Sequence, residues 1–171
     1  MYTPNTVELY GTPIVCIDFE TLNLTPLRVS EFAAVMYKHG ASSAKILADV
    51  KKPSRAEIDM ISLRAGISLA LNSGILLGYN LRFDWDVIRQ LTPAIPKQFI
   101  GIDVLQIVRF YEKRHKGRNT LSDVCARYDI EFTPHRALDD SIATIKLFRK
   151  LVTRYQILTL HKWYRTTYTW Y

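Results

Sequence analysis

Four carboxylates and one histidine, spread over three short stretches, are the residues here that could do chemistry together. Asp18 and Glu20 follow an apolar run, Ile14-Val15-Cys16-Ile17, and stand two residues apart. The run is rich in β-branched residues and Pro13 precedes it, which suits the start of a buried strand. Alternate residues of a strand share a face, so Asp18 and Glu20 project to one side and Phe19 to the other, into the core. Two acids at the end of a buried strand are costly unless a cation or hydrogen bonds hold them. The second stretch is Asn80-Leu81-Arg82-Phe83-Asp84, which places Asp84 just after an expected strand and within the first turn of a helix. The carboxyl edge of strands is where open α/β sheets place ligands. The third is Pro134-His135-Arg136-Ala137-Leu138-Asp139-Asp140, with Asp140 early in a long helix and His135 in the loop ahead of it. Asp139 points about 100° away from Asp140 and is expected to face solvent.

Each residue has an ordinary reading when taken alone. Asp84 or Asp86 would complement a helix dipole, and a loop histidine is commonly a surface residue. Together, Asp18, Glu20, Asp84 and Asp140 bring four carboxylates from three segments to one sheet edge. Anions that close repel one another, and some take up protons unless cations sit among them. Hard, oxygen-preferring divalent ions, Mg²⁺ or Mn²⁺, fit all-carboxylate ligation, and no Cys/His set with zinc spacing is present. Two such ions about 4 Å apart are a known solution for phosphodiester cleavage. His135 is then suited to act as general base on the attacking water.

The elements that must position these residues follow from the chain in order. After the first strand, residues 22–26 read as a loop, with Asn23 suited to a left-handed turn. Residues 29–37 and 45–50 read as second and third strands of a meander. Ser54 with Glu57 resembles a capping box opening a helical region. Gly66 and Asn72-Ser73-Gly74 are expected to divide that region into short helices. A brief strand at 75–78 precedes a helix at 81–91, which Pro93 stops. A fifth strand at 99–102 leads into a helix at 104–111. Thr120-Leu121-Ser122-Asp123 opens another helix with a capping pattern, and a long helix runs from about Ala137 to Tyr155. A strand meander followed by alternating helices and strands predicts an α/β sheet covered on both faces.

The 171 residues suit one domain with a sizeable core. A hydrophobic content of 48% and a charged content of 23% are those of a soluble globular protein. No apolar run reaches the ~18 residues of a membrane span, and residues 1–12 lack an apolar signal core, so a cytoplasmic location is expected. Cys16 and Cys125 read as buried, reduced thiols. The net charge of +7 favours a polyanionic partner such as nucleic acid, and less strongly an anionic membrane surface. The basic run at residues 113–118 could track phosphates or be a solvated loop. Residues 156–171 carry aromatic and basic side chains, on which bases could stack or a partner dock. They are expected to form an extension packed on a domain spanning 1–155.

Asp18-Phe19-Glu20-Thr21, Asn80-Leu81-Arg82-Phe83-Asp84 and His135-Arg136-Ala137-Leu138-Asp139-Asp140 resemble the three exonuclease motifs of the DnaQ-like (DEDDh) 3′–5′ exonucleases. The resemblance spans residues 14–150 and takes in 28–35 and 121–130. It implies an RNase H-like three-layer fold with a central mixed five-stranded sheet. It also implies Asp18, Glu20, Asp84 and Asp140 as ligands of two divalent ions, Mg²⁺ or Mn²⁺, with Glu20 and His135 catalytic and His135 the base. Thr21, Leu24, Asn80 and Phe83 are implied to lie around the terminal nucleotide. Asn23 stands where many relatives have Gly, and Tyr79 where many have His. Ala65-Gly66-Ile67-Ser68 resembles the family's substrate-contacting His-Gly-Ile-Thr stretch with the imidazole absent.

The implied activity is release of nucleoside monophosphates from the 3′ ends of DNA, in proofreading or repair. Nucleic acid is the expected partner, with a polymerase or another protein as a second one. The rivals are an exoribonuclease of the RNase T or oligoribonuclease type and a non-catalytic nucleic-acid-binding or polymerase-associated module. An RNase H-type endonuclease is disfavoured, since its acid set lacks the His-x-Ala-x-x-Asp arrangement.

Overall fold

A computed structural model describes residues 7–9, 11–38, 40–53, 57–92, 100–113, 119–157, 159–160 and 165–167. Its centre is β2 (Pro13–Leu24), which pairs antiparallel with β3 (Leu27–Lys38) and parallel with β5 (Ile75–Gly78). β4 (Lys45–Lys51) lies outside β3, and β6 (Ile100–Asp103) runs parallel to β5. These are the five expected strands, and the sheet they form is mixed. A sixth, β8 (Arg165–Thr167), extends it antiparallel to β6, giving the order β4-β3-β2-β5-β6-β8. A separate short pair joins β1 (Val7–Glu8) to β7 (Thr159–Leu160).

The alternation of β2 divides the core between the two faces. Ile14 and Cys16 pack with α3 (Val104–Glu112), α4 (Leu121–Arg127) and α5 (Ala137–Tyr155). Val15, Ile17 and Phe19 pack with α1 (Met60–Ser73) and α2 (Arg82–Leu91). Asp18 and Glu20 continue the Ile14–Cys16 row, so they emerge on the side that α5 covers. The result is the expected three-layer α/β fold.

Three local expectations are corrected. Residues 22–24 are strand rather than loop, and the hairpin turns at Thr25-Pro26. Asn23 lies in the strand, outside the left-handed region, and its amide clasps Thr25: Nδ2 donates to the Thr25 carbonyl at 3.0 Å and Oδ1 accepts the Thr25 N–H at 3.2 Å. The side chain thus closes the turn in the manner of an Asx motif. The helical region is one helix, not several, and its cap is Asp59, whose Oδ1 accepts the Ile61 N–H at 3.0 Å. Ser54 lies outside the described residues. Gly66 does not break α1, because it is a contact point: a Cβ there would stand 3.0 Å from the Ala48 Cβ and 3.1 Å from the Phe32 ring. The Ala65-Gly66-Ile67-Ser68 stretch therefore sits mid-helix, with Gly66 and Ile67 turned into the core.

The capping box at Thr120 and Asp123 forms as expected. Most of the basic run and of the C-terminal aromatic segment, with Pro93 and Phe99, lies outside the described residues. Cys16 and Cys125 are both free and buried. Among the described residues, no helix is long and apolar enough to cross a membrane.

Candidate active site

Two β-sheet features aim the first acids. Phe19 packs into the opposite face, its ring 4.5 Å from that of Phe32, which leaves Asp18 and Glu20 on the α5 side. Pairing with β3 is regular through Glu20↔Glu31, then irregular around Thr21 and Asn23. Such bulges bend a strand and re-aim its side chains. Ser30 Oγ donates to the Glu20 carbonyl at 3.1 Å, fixing the backbone at the irregularity.

The N-terminus of α5 brings in Asp140. Asp18, Glu20 and Asp140 each present a carboxylate oxygen, and these oxygens lie within 4.8 Å of one another. Asp140 Oδ2 accepts the His135 backbone N–H at 3.2 Å, while Oδ1 is buried without a hydrogen-bond partner. His135 has φ +62° and is exposed, so the loop presents it from a left-handed turn beside Asp140. Asp84 lies outside the group of three. Its Oδ1 accepts the Phe19 backbone N–H at 3.1 Å, which joins α2 to the strand between the two acids. Asp139 is half-buried rather than solvent-facing, and neither it nor Asp86, which pairs with Arg82 at 4.0 Å, belongs to the group.

Burial and mutual repulsion govern the charges. Burial pushes the Asp18 carboxyl well above the usual carboxylate range, and the charges of Asp84, Asp140 and Glu20 push the same way. Burial likewise raises Asp84, against the lowering effect of the Phe19 N–H. Asp140 is pushed up to about 6, by burial first and then by Glu20. Burial raises the Cys16 thiol well above its usual value, and Asp18 and Asp84 add to this. A set of inward-facing carboxylates that resist ionisation, one with an orphaned oxygen, is the donor set a hard divalent cation satisfies.

Two further acids support the site and were not singled out from the sequence. Glu31 Oε2 accepts the Ala137 N–H at 3.2 Å, and Oε1 lies 3.6 Å from Arg136 Nε. The N-cap residue of α5, Arg136, makes no side-chain cap bond, so a glutamate from β3 caps the helix instead. Its signal was an acid within an otherwise apolar strand. Asp103 is buried, pushed up to about 6 mainly by burial, and its Oδ1 accepts N–H bonds from Asn80 and Leu105, both at 3.0 Å. It caps α3 and holds Asn80 at φ +62°. An Asp between an apolar triplet and a helical pattern is a cap signature.

The remaining candidates flank this centre in the chain. Thr21 is half-buried at the bulge, and Leu24 is exposed near the hairpin tip. Asn80 is exposed, and Phe83 is half-buried in the first turn of α2.

An RNase H-like α/β sheet whose central strand and covering helix bring an acid cluster together is the class that fold and site define. The family model described as exonuclease matches residues 63–148, and the chain belongs to that family. A comparison with curated protein sequences finds no match. Among solved structures, a zinc-bound E. coli ExoI–ssDNA complex is similar with TM-score 0.64 and 20% identity, over 86% of this chain and 42% of that one. A full-length 3′-exonuclease gives TM-score 0.65 at 14% identity, covering 92% and 91%. A 3′-exonuclease described in 3′-end specific recognition of a histone mRNA stem-loop gives 0.62 at 13%, again covering 92% and 91%. This chain thus spans about two-fifths of the ExoI chain and nearly all of the other two.

Proposed function

We propose that this protein is a metal-dependent 3′–5′ exonuclease that releases nucleoside monophosphates. The observation that carries the reading is the convergence of Asp18, Glu20 and Asp140 within 4.8 Å, with a buried Asp140 oxygen left unpartnered. These three residues and Asp84 would hold two Mg²⁺ or Mn²⁺ ions. Bound there, the ions supply an acidified water and neutralise charge on the scissile phosphate. His135 would take a proton from the attacking water as that water's oxygen bonds to phosphorus and the P–O3′ bond breaks. The same proton would pass, through His135 or solvent, to the departing O3′ to leave a 3′-hydroxyl on the shortened strand. Glu20, on the strand within 4.8 Å of the Asp18 and Asp140 carboxylates, would act in the same step as an ion ligand. Leu24 and Phe83 offer apolar surface to the terminal base, and Thr21 and Asn80 offer polar groups to its sugar and phosphate.

Single-stranded DNA is the favoured substrate, in keeping with the ssDNA complex of the similar E. coli ExoI. RNA is the second reading, supported by the similar 3′-exonuclease described with a histone mRNA stem-loop. The buried free thiols suit a reducing, cytoplasmic setting. End-labelled DNA and RNA incubated with Mg²⁺ or Mn²⁺ test the proposal. Metal-dependent loss of 3′ nucleotides is expected, abolished in Asp18→Ala and lowered by roughly 10²-fold in His135→Ala with metal binding retained. No metal-dependent shortening of either substrate would overturn the reading.

A further inference from the structure

One flank of α5 carries a row of cations that the acid site does not use. Lys146, Arg149, Lys150 and Arg154 are all exposed; Arg149 and Lys150 follow Lys146 by three and four residues and Arg154 follows Lys150 by four, so they share one flank of the helix. They form one wall of a groove of about 1390 Å³, whose other wall is residues 126–132 and Pro134. Among the described residues none of the four forms an ion pair, whereas Arg28, Lys51, Arg82, Arg127 and Arg136 all do.

The cations are nonetheless held in place. The Arg149 guanidinium lies 5.4 Å from the centre of the Tyr37 ring, and that of Arg154 lies 5.5 Å from the centre of the Tyr128 ring. Lys150 Nζ donates to the Tyr128 carbonyl at 2.6 Å. Asp129 and Glu131 are the acids of the groove, against these four cations and Arg127, so its balance is positive. Like charges at i, i+4 destabilise a helix. The helix dipole favours a cation in the last turn, as at Arg154, but not at mid-helix Lys146 and Arg149. The row is therefore a local cost that an anion would relieve.

We infer that this groove binds the sugar-phosphate backbone of a single nucleic-acid strand upstream of the 3′ end held at the acid site, an inference that rests on the exonuclease reading. Lys146 stands about 9 Å beyond Asp140 along the helix axis, and Arg154 about 12 Å further. The row lies about 100° round the helix from Asp140. A strand leaving the acids reaches it by passing over the loop that carries His135, whose neighbour Pro134 lines the groove.

The test is binding, with Ca²⁺ replacing Mg²⁺, of labelled 20-nucleotide and trinucleotide single strands sharing one 3′ sequence. The wild type is expected to prefer the 20-mer. Both Lys146→Gln/Arg149→Gln/Lys150→Gln and the corresponding triple Glu variant are expected to lose most of that preference. The affinity for the 20-mer should fall on the order of tenfold, and the slope of log affinity against log salt should become shallower by about 2. Equal affinity of the wild type for both lengths, or a preference retained in folded variants, would overturn the inference. So would displacement of the 20-mer by polyglutamate at equal charge concentration, which would make the groove a dock for an acidic protein. Uncut substrates in the nuclease assay would overturn the exonuclease reading alone, because this binding is read separately from cleavage.

Discussion

Asp140 condenses the chemistry of the site into one side chain. One oxygen takes the His135 N–H and the other is buried without a partner, beside Glu20. A carboxyl raised to about 6 in the folded state, against an ordinary value near 3.8, binds its proton more tightly folded than unfolded. Its contribution to stability is fully present below pH about 4 and is lost as pH rises through about 6. Asp18 and Asp84 shift the same way. The metal-free protein should therefore lose melting temperature between pH about 4 and 7, and Asp140→Asn should flatten part of that fall. Added Mn²⁺ at pH 7 should restore the wild type by mass action and restore the variant less. Thermal melts with and without EDTA check this, and a melting temperature indifferent to metal at pH 7 would count against an ion-binding role. The acids were legible in the sequence because two-residue spacing on a strand and placement at helix starts fix which way they face. Asp139 is half-buried where its direction predicts exposure, because a helical wheel gives direction but not how much neighbouring chain covers the residue.

At the scale of elements, the site depends on how α5 is fastened to the strands. Helix N-termini need acceptors for their free N–H groups, and α5 takes one from Glu31, a residue 106 positions earlier. Glu31 is also the register partner of Glu20, so one side chain ties the position of Asp140 to that of the strand pair. Glu31→Ala should cost about 1–2 kcal/mol, the range for a lost helix cap, and should weaken Mn²⁺ binding. Glu31→Gln keeps an acceptor for the Ala137 N–H and should recover most of both. The exposed Arg136 contact adds little, as surface ion pairs generally do. Mn²⁺ titration beside denaturant unfolding separates the outcomes: a stability loss with unchanged metal affinity would reduce Glu31 to a simple cap.

The long-range cap was invisible in sequence, because capping patterns are local and Glu31 lies 106 positions from Ala137. The extent of α5 was legible because its apolar period runs unbroken over 19 residues. The start of α1 and the unity of that helix were not. Ser54 with Glu57 offers a capping pattern ahead of the Asp59 that caps α1, and Gly66 reads as a breaker until the strands beneath it show that a close approach requires it.

At the scale of the whole molecule, a basic protein gathers three carboxylates between a strand and a covering helix and lays four exposed cations along a flank of the same helix. The sheet that organises this has two edges, and the C-terminal segment supplies one of them: β8 covers β6, with Gly101 opposite Thr166. The aromatic composition of the C-terminal segment suggested packing on the body but not a strand, since three residues carry too little pattern to register as one. An uncovered strand presents unpaired backbone groups and invites pairing with another chain. Ending the chain after Ile157 removes β7 and β8 together, leaving β1 without its partner and β6 at the edge. The shortened protein should melt at a lower temperature and self-associate as its concentration rises, as read by light scattering. Its Mn²⁺ affinity should be unchanged, because β2, α2 and α5 hold every candidate ligand. If metal affinity fell in step with the melting temperature, the C-terminal strand would be part of the frame that aims the acids. An unaltered melting temperature with no association would mean that the five-stranded sheet closes adequately without it.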